Sequence, residues 1–232
     1  MAYERILDIV RLGRPIVIFD DKKEGEGDLF CPAAVAVPEV LQLMIRAGSG
    51  LLCLAMPRDL LEEKGIPRIA TALQIADADG PVVPRGLQGQ LFRRMVDSLT
   101  THGLPDTPFH FPVDKRGLRS GISVSERFET IQALMDPASS IDDFEVPGHM
   151  FTLGAHPQGF EGRQGHTEAS VALSEAVGLF PAGLLCEIVD DNGEMCQGDD
   201  LEAFTRERHL GIIFMSEIPA IIEAAKTVQV SR

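Results

Sequence analysis

Short apolar runs alternate along this chain with segments whose apolar residues recur every three or four positions. Residues 3–12 carry Ile6, Leu7, Ile9 and Val10 at helical spacing and stop at Gly13. "PIVIF", residues 15–19, is rich in β-branched residues and too short for a helix, which predicts a buried strand. "PEVLQLMIRAG" opens with Pro38 at a first-turn position and closes at Gly48, a helix punctuated at both ends. "LLCLAM" (51–56) predicts another buried strand, and "PRDLLEEKG" (57–65) a short helix. Residues 68–84 have no clear period and read as a loop, after which Leu87, Leu91, Met95 and Leu99 mark an amphipathic helix.

"FHFPV" (109–113) and "GISV" (121–124) predict strands flanking a turn at Lys115–Gly117. Ser123 and Glu126 have the spacing of a capping box that opens the helix "ERFETIQALM". "HMFTL" (149–153) predicts a strand, "HTEASVALSEAVG" (166–178) a helix, and "GLLCEIV" (183–189) a strand closed by the turn "DDNG". "LEAFTRERHLG", "IIFM" and "IPAIIEAAK" finish as helix, strand and helix. Strands alternating with helices predict one domain over residues 1–232, a sheet covered by helices.

At 232 residues and 44% hydrophobic, the chain can bury a full core without disulfide or metal staples. A net charge of −14 argues against a nucleic-acid partner, which demands a basic face, and equally against an anionic membrane surface. Cys31, Cys53, Cys186 and Cys196 form neither a CxxC pair nor a zinc-ligand spacing. Cys53 and Cys186 lie inside apolar runs and read as small core residues. The N-terminal "MAYERILDIVRLG" is charged throughout, and no apolar stretch approaches the ~20 residues that span a bilayer, so a cytoplasmic protein is expected.

Against this background a few stretches carry candidate chemistry. "DDKKEGEGDL" (20–29) crowds five carboxylates around two glycines. Glu24, Glu26 and Asp28 are spaced by Gly25 and Gly27, which have no side chain to obstruct a ligand. Hard oxygen donors of this kind suit magnesium or manganese, and the alternative is a solvated acidic turn. "GRQGHTEAS" (162–170) sets Arg163, Gly165, His166 and Thr167 at a helix start, where free N–H groups favour a phosphate. Arg163 could add a bidentate clamp, Thr167 a hydroxyl, and His166 a metal ligand or proton carrier; a capped helix with a surface histidine is the alternative. Glu187 lies in the apolar run "LLCEIV", where an unpaired carboxylate is costly unless it points to a solvated face. His149 follows a Pro-Gly turn that could deliver it into a cleft, whereas His102, His110, His156 and His209 read as structural or surface residues.

In this order, "DDKKEGEGDL", "GISVSERFETI", "PGHMFTL", "GRQGHTEASVAL" and "PAGLLCEIVDDNGEM" resemble the signatures of the 3,4-dihydroxy-2-butanone-4-phosphate synthase family of riboflavin biosynthesis, across residues 13–66 and 117–196. The resemblance implies an α+β fold, a single-domain three-layer sandwich with a mixed sheet. It implies conversion of ribulose 5-phosphate to 3,4-dihydroxy-2-butanone 4-phosphate and formate by a homodimer with sites at the subunit interface. It further implies two magnesium (or manganese) ions, held by Glu24 and His166, and proton transfer by His149 and Glu187 with Asp28. Substrate contacts would come from Lys23, Glu26, Asp28, Arg163, Gln164, Gly165, Thr167 and Glu187.

The chain also departs from that pattern. Lys23 stands for the family's arginine, Gly25 for its asparagine, and Arg119 and Ser120 for paired threonines. Glu126-Arg127 replaces Asp-Arg, Val146 replaces an arginine, and residues 67–112 diverge. The metal and proton-moving positions match better than those that hold substrate. A relative acting on another phosphorylated ketose, and a catalytically silent sugar-phosphate binder, therefore stand beside the synthase.

Overall fold

The structure, a computed structural model, describes residues 3–23, 25–72 and 107–230. Glu24, His102 and the helix predicted around Leu87–Leu99 lie outside the described residues. Among those described, β1 (Ile16–Phe19), β2 (Gly27–Pro32), β3 (Cys53–Pro57), β4 (Val113–Lys115), β5 (Phe144–Ala155), β6 (Gly183–Glu187) and β7 (Gly211–Phe214) form one sheet in the order β4-β5-β3-β6-β2-β1-β7. β3 pairs parallel with β5 and β1 with β7, while the other neighbours are antiparallel. The sheet is therefore mixed, as the resemblance implied.

Successive side chains on a strand point to opposite faces, so a strand covered on both sides must be apolar at every position. β1 obeys this: Ile16 and Ile18 enter one apolar layer and Val17 the other. Phe30, Cys53, Ala55 and Leu185 share the layer of Ile18, and Leu29, Leu54, Met56 and Leu184 share that of Val17. Three helices close the first layer: α1 (Glu4–Arg11), α6 (His166–Ala176) and α8 (Ile218–Val230), through Val10, Leu173 and Ile221. Another three close the second: α2 (Pro38–Ala47), α4 (Val124–Met135) and α7 (Gly198–Glu207), through Met44, Ile131 and Phe204. Short helices α3 (Arg58–Glu63) and α5 (Gly159–Gly162) complete the described set. Ile16, Ile18, Leu29 and Leu54 are fully buried, each side chain stabilising the fold by about 1.5–3 kcal/mol.

Several expectations need correction. "GISV" is not a strand: Gly121 has φ +76°, and Ser123 caps α4 by accepting a hydrogen bond from the Glu126 backbone N–H. Only that half of the capping box forms, because the Glu126 carboxylate instead accepts from the Arg119 and Ser120 backbone and from the Ser120 and Ser123 hydroxyls. The strand expected at 109–113 begins regular pairing only at Val113, with Phe109 and His110 in isolated bridges. The acidic stretch 20–29 is not all loop, since β2 starts at Gly27 and takes Asp28 into the sheet.

The described flanks of the divergent segment meet at one place. Arg68 bridges His110, and the Ile69 N–H donates to the Phe109 carbonyl. All four cysteines are free and buried. Among the described residues no helix is long and apolar enough to cross a membrane.

Candidate active site

The β1–β2 connection is shaped by its own first carboxylate. Asp20 Oδ1 accepts from the backbone N–H groups of Lys22 (2.9 Å) and Lys23 (3.1 Å). The Gly25 N–H closes the loop on the Asp20 carbonyl at 3.0 Å, with φ +66° at Gly25. That left-handed turn is the reason for Gly25. Gly27 has another reason: a side chain there would press on Leu201 of α7 and Val17 of β1. Asp21 accepts from the Ser216 N–H at 2.9 Å; burial pushes its carboxyl up, but the hydrogen bonds from Ser216 outweigh this and hold it below its ordinary value. Two of the five carboxylates thus have structural work, and Lys23 stays exposed beside them.

This hairpin meets the start of α6. Lys22 Nζ donates to Gln164 Oε1 at 3.2 Å, across 142 positions of sequence. His166 Nε2 lies 3.2 Å from the Ile18 carbonyl oxygen, across 148 positions. Gly165 caps α6 without a side chain, so the N-cap residue itself satisfies none of the first N–H groups of the helix through a side chain. Thr167 follows, buried in the same turn.

Arg163 is engaged within its own loop. Its Nε and one terminal nitrogen each lie 2.9 Å from the Glu168 carboxylate, whose side chain has no exposure. The guanidinium fork is turned onto Glu168 and holds the loop before α6; a second donor to Glu168 is the His156 N–H at 2.8 Å. His156 is thus structural, as is the fully buried His110, whose Nδ1 lies 3.0 Å from the Pro108 carbonyl.

Asp28 and Glu187 are register partners on β2 and β6, and Ile18 is the partner of Asp28 on the other side. Asp28 is buried and Glu187 half-buried, with Ser49 Oγ donating to Glu187 Oε2 at 3.3 Å. Strand alternation puts Glu26, two residues before Asp28, on the same face. The Cys53 thiol reports the charge nearby: burial pushes its pKa up first, and Glu187 and Asp28 push it further.

His149 belongs to β5, whose Phe151 is the register partner of Cys53. Cys53 is also the register partner of Leu185, two residues before Glu187 on β6. Sequence reasoning missed the partner of this histidine. Asp114 of β4 places Oδ2 at 2.6 Å from His149 Nδ1, and its Oδ1 accepts the His149 backbone N–H at 2.8 Å. No local pattern marks Asp114; the available signals were Gly121 and Gly148, where a side chain would collide with Asp114 and with the Val113–Asp114 backbone.

Among the described residues no three His, Cys, Asp or Glu side chains form a metal-holding group, and Glu24 lies outside them. In kind, the donors fit a hard divalent ion: Glu26 and Asp28 offer carboxylate oxygens and His166 an imidazole nitrogen. A carbonyl can only accept, so His166 Nε2 donates to Ile18 and leaves Nδ1 with its lone pair for a ligand.

An α+β sandwich whose mixed sheet is covered by helices on both faces defines the class of this protein. The match to known sequences is specific: the profile of 3,4-dihydroxy-2-butanone 4-phosphate synthase covers residues 4–221, and the chain belongs to that family. The 3,4-dihydroxy-2-butanone 4-phosphate synthase of Bordetella pertussis is 33% identical over 223 residues, 95% of this chain and 85% of that one. The Candida albicans synthase structure superposes with a TM-score of 0.73 at 28% identity, covering 94% of this chain and 96% of that chain. A synthase structure in complex with two magnesium ions gives a TM-score of 0.74 at 27% identity, covering 96% of each chain.

Proposed function

We propose that this protein converts D-ribulose 5-phosphate to 3,4-dihydroxy-2-butanone 4-phosphate and formate, as a cytoplasmic homodimer with sites at the subunit interface. The observation that carries the reading is the convergence of the β1–β2 hairpin on the start of α6, through Lys22–Gln164 and His166–Ile18. The uncapped N–H groups around Gly165, His166 and Thr167 receive the phosphate, where the helix dipole favours negative charge. Arg163 shapes this loop through Glu168, while Gln164, Lys23 and Glu26 contact the sugar. His149 takes the proton beside the ketone, giving an enediolate. Glu187 and Asp28, side by side, carry the hydroxyl protons as one water leaves and returns, the skeleton rearranges and one carbon departs as formate.

Glu24 with His166 would hold the divalent ions, two magnesium (or manganese) per site. When bound, such ions supply Lewis acidity that stabilises negative charge on vicinal oxygens. The test is formate release from ribulose 5-phosphate, measured alongside a panel of other ketose phosphates. Turnover of ribulose 5-phosphate that is abolished by chelation, by Glu24→Ala and by His166→Ala is expected. No formate at saturating magnesium, or a clear preference for another ketose, overturns the assignment.

A further inference from the structure

We propose that Asp114 is the positioning residue of His149, fixing its imidazole as the Nδ1–H tautomer and presenting Nε2 as the proton acceptor. The base role of His149 rests on the function proposed above; the tautomer assignment does not. Asp114 Oδ2 lies 2.6 Å from His149 Nδ1, a distance that requires a proton between them. Asp114 Oδ1 is occupied separately by the His149 backbone N–H at 2.8 Å, so both carboxylate oxygens are spent on one residue. The carboxylate is nearly enclosed, with 12% side-chain exposure against 48% for the histidine. The enclosure is built by backbone: Gly121, at φ +76°, lies against the Asp114 carboxylate, and Gly148 packs on the Val113–Asp114 peptide. A ring held through Nδ1 keeps Nε2 deprotonated in its neutral form and turned away from Asp114. When Nε2 takes a proton from substrate carbon, the imidazolium forms beside a fixed carboxylate, which stabilises it.

This geometry makes a sharp prediction for Asp114→Asn. The amide has one acceptor oxygen, and the His149 backbone N–H, always a donor, claims it. The amide NH2 then faces Nδ1, which must become the acceptor, and the proton moves to Nε2. An Nε2–H imidazole cannot accept the substrate proton. The variant is isosteric, so it changes the hydrogen-bonding pattern without changing side-chain volume.

The experiment is imidazole 15N NMR of the full chain, with His149→Gln used to assign the resonances. Wild type is expected to show neutral His149 as Nδ1–H, and Asp114→Asn as Nε2–H. The kcat for formate release should fall about 10²–10⁴-fold, with KM changed less than about threefold. A wild-type Nε2–H tautomer, an unchanged tautomer in Asp114→Asn, or wild-type kcat in that variant overturns the proposal. The NMR needs no substrate, so a tautomer swap in a protein that releases no formate removes the reaction and leaves the Asp114 assignment standing. Should Asp114→Asn not fold, the wild-type tautomer decides alone.

Discussion

Asp28 and Glu187 face each other as register partners on neighbouring antiparallel strands, two carboxylates at one rung of the sheet. Like charges directly opposite destabilise a strand pair by about 0.2–1 kcal/mol. Asp28→Asn should therefore raise the melting temperature by about 1–3 °C in metal-free buffer while lowering turnover at least 100-fold. Added magnesium should raise the melting temperature of wild type more than that of the variant. Thermal melts with and without the ion check both; a variant that loses stability in metal-free buffer refutes the repulsion.

The Arg163–Glu168 pair predicts a stability defect rather than a simple loss of substrate grip. Removing Arg163 leaves a carboxylate with no side-chain exposure facing a single backbone donor. Arg163→Ala should cost about 3 kcal/mol, and Arg163→Lys, which keeps charge without the fork, less. Denaturant unfolding of the three proteins measures this. Equal midpoints would show that Glu168 finds another partner.

His110 makes stability depend on pH. Burial lowers its pKa to about 4, against an ordinary 6.5, and its Nε2 has no partner among the described residues. Above pH 6.5 the residue is neutral in both states and its contribution is whole. As pH falls toward 4 only the unfolded chain takes the proton, so stability drops by about 1.4 kcal/mol per unit, roughly 3 kcal/mol in all. His110→Phe should flatten this part of the stability profile in urea titrations between pH 4 and 7.

Glu126 predicts a loss in the same direction, at lower pH, in the loop before α4. Hydrogen bonds from Ser120 first, then Ser123 and the Arg119 N–H, lower its carboxyl to about 2. The ordering of residues 119–123 is complete above the ordinary carboxyl range near 4.5 and is lost as pH falls through 2. Amide exchange at Arg119 and Ser120 should accelerate in Glu126→Gln at neutral pH. Unchanged exchange would show that Gly121 and Ser123 set the loop without it.

Elements whose signal is local were legible. α6 carries helical periodicity from His166 to Ala176, and β1 is a β-branched run bounded by a proline and an aspartate. "GISV" misled because β-branched residues favour a strand, whereas Gly121 adopts a positive φ and Ser123 caps a helix, leaving Ile122 exposed. β2 hid its start because Gly27 and Asp28 read as turn residues, although both lie inside the sheet. Of the candidate site, Asp28, Glu187, His149 and His166 were named from sequence, and Asp114 was not. The pairing of Arg163 with Glu168, one helical turn further on, was not read from the sequence.

By itself, then, the chain's order of residues determined most strands and helices and the family, since each depends on periodicity or on contiguous motifs. Tertiary structure alone decided which side chains share a rung, which carboxylate turns His149, and which arginine is already paired. Those outcomes depend on register between strands distant in sequence, and a one-residue slip in pairing would send every one of these groups to the opposite face.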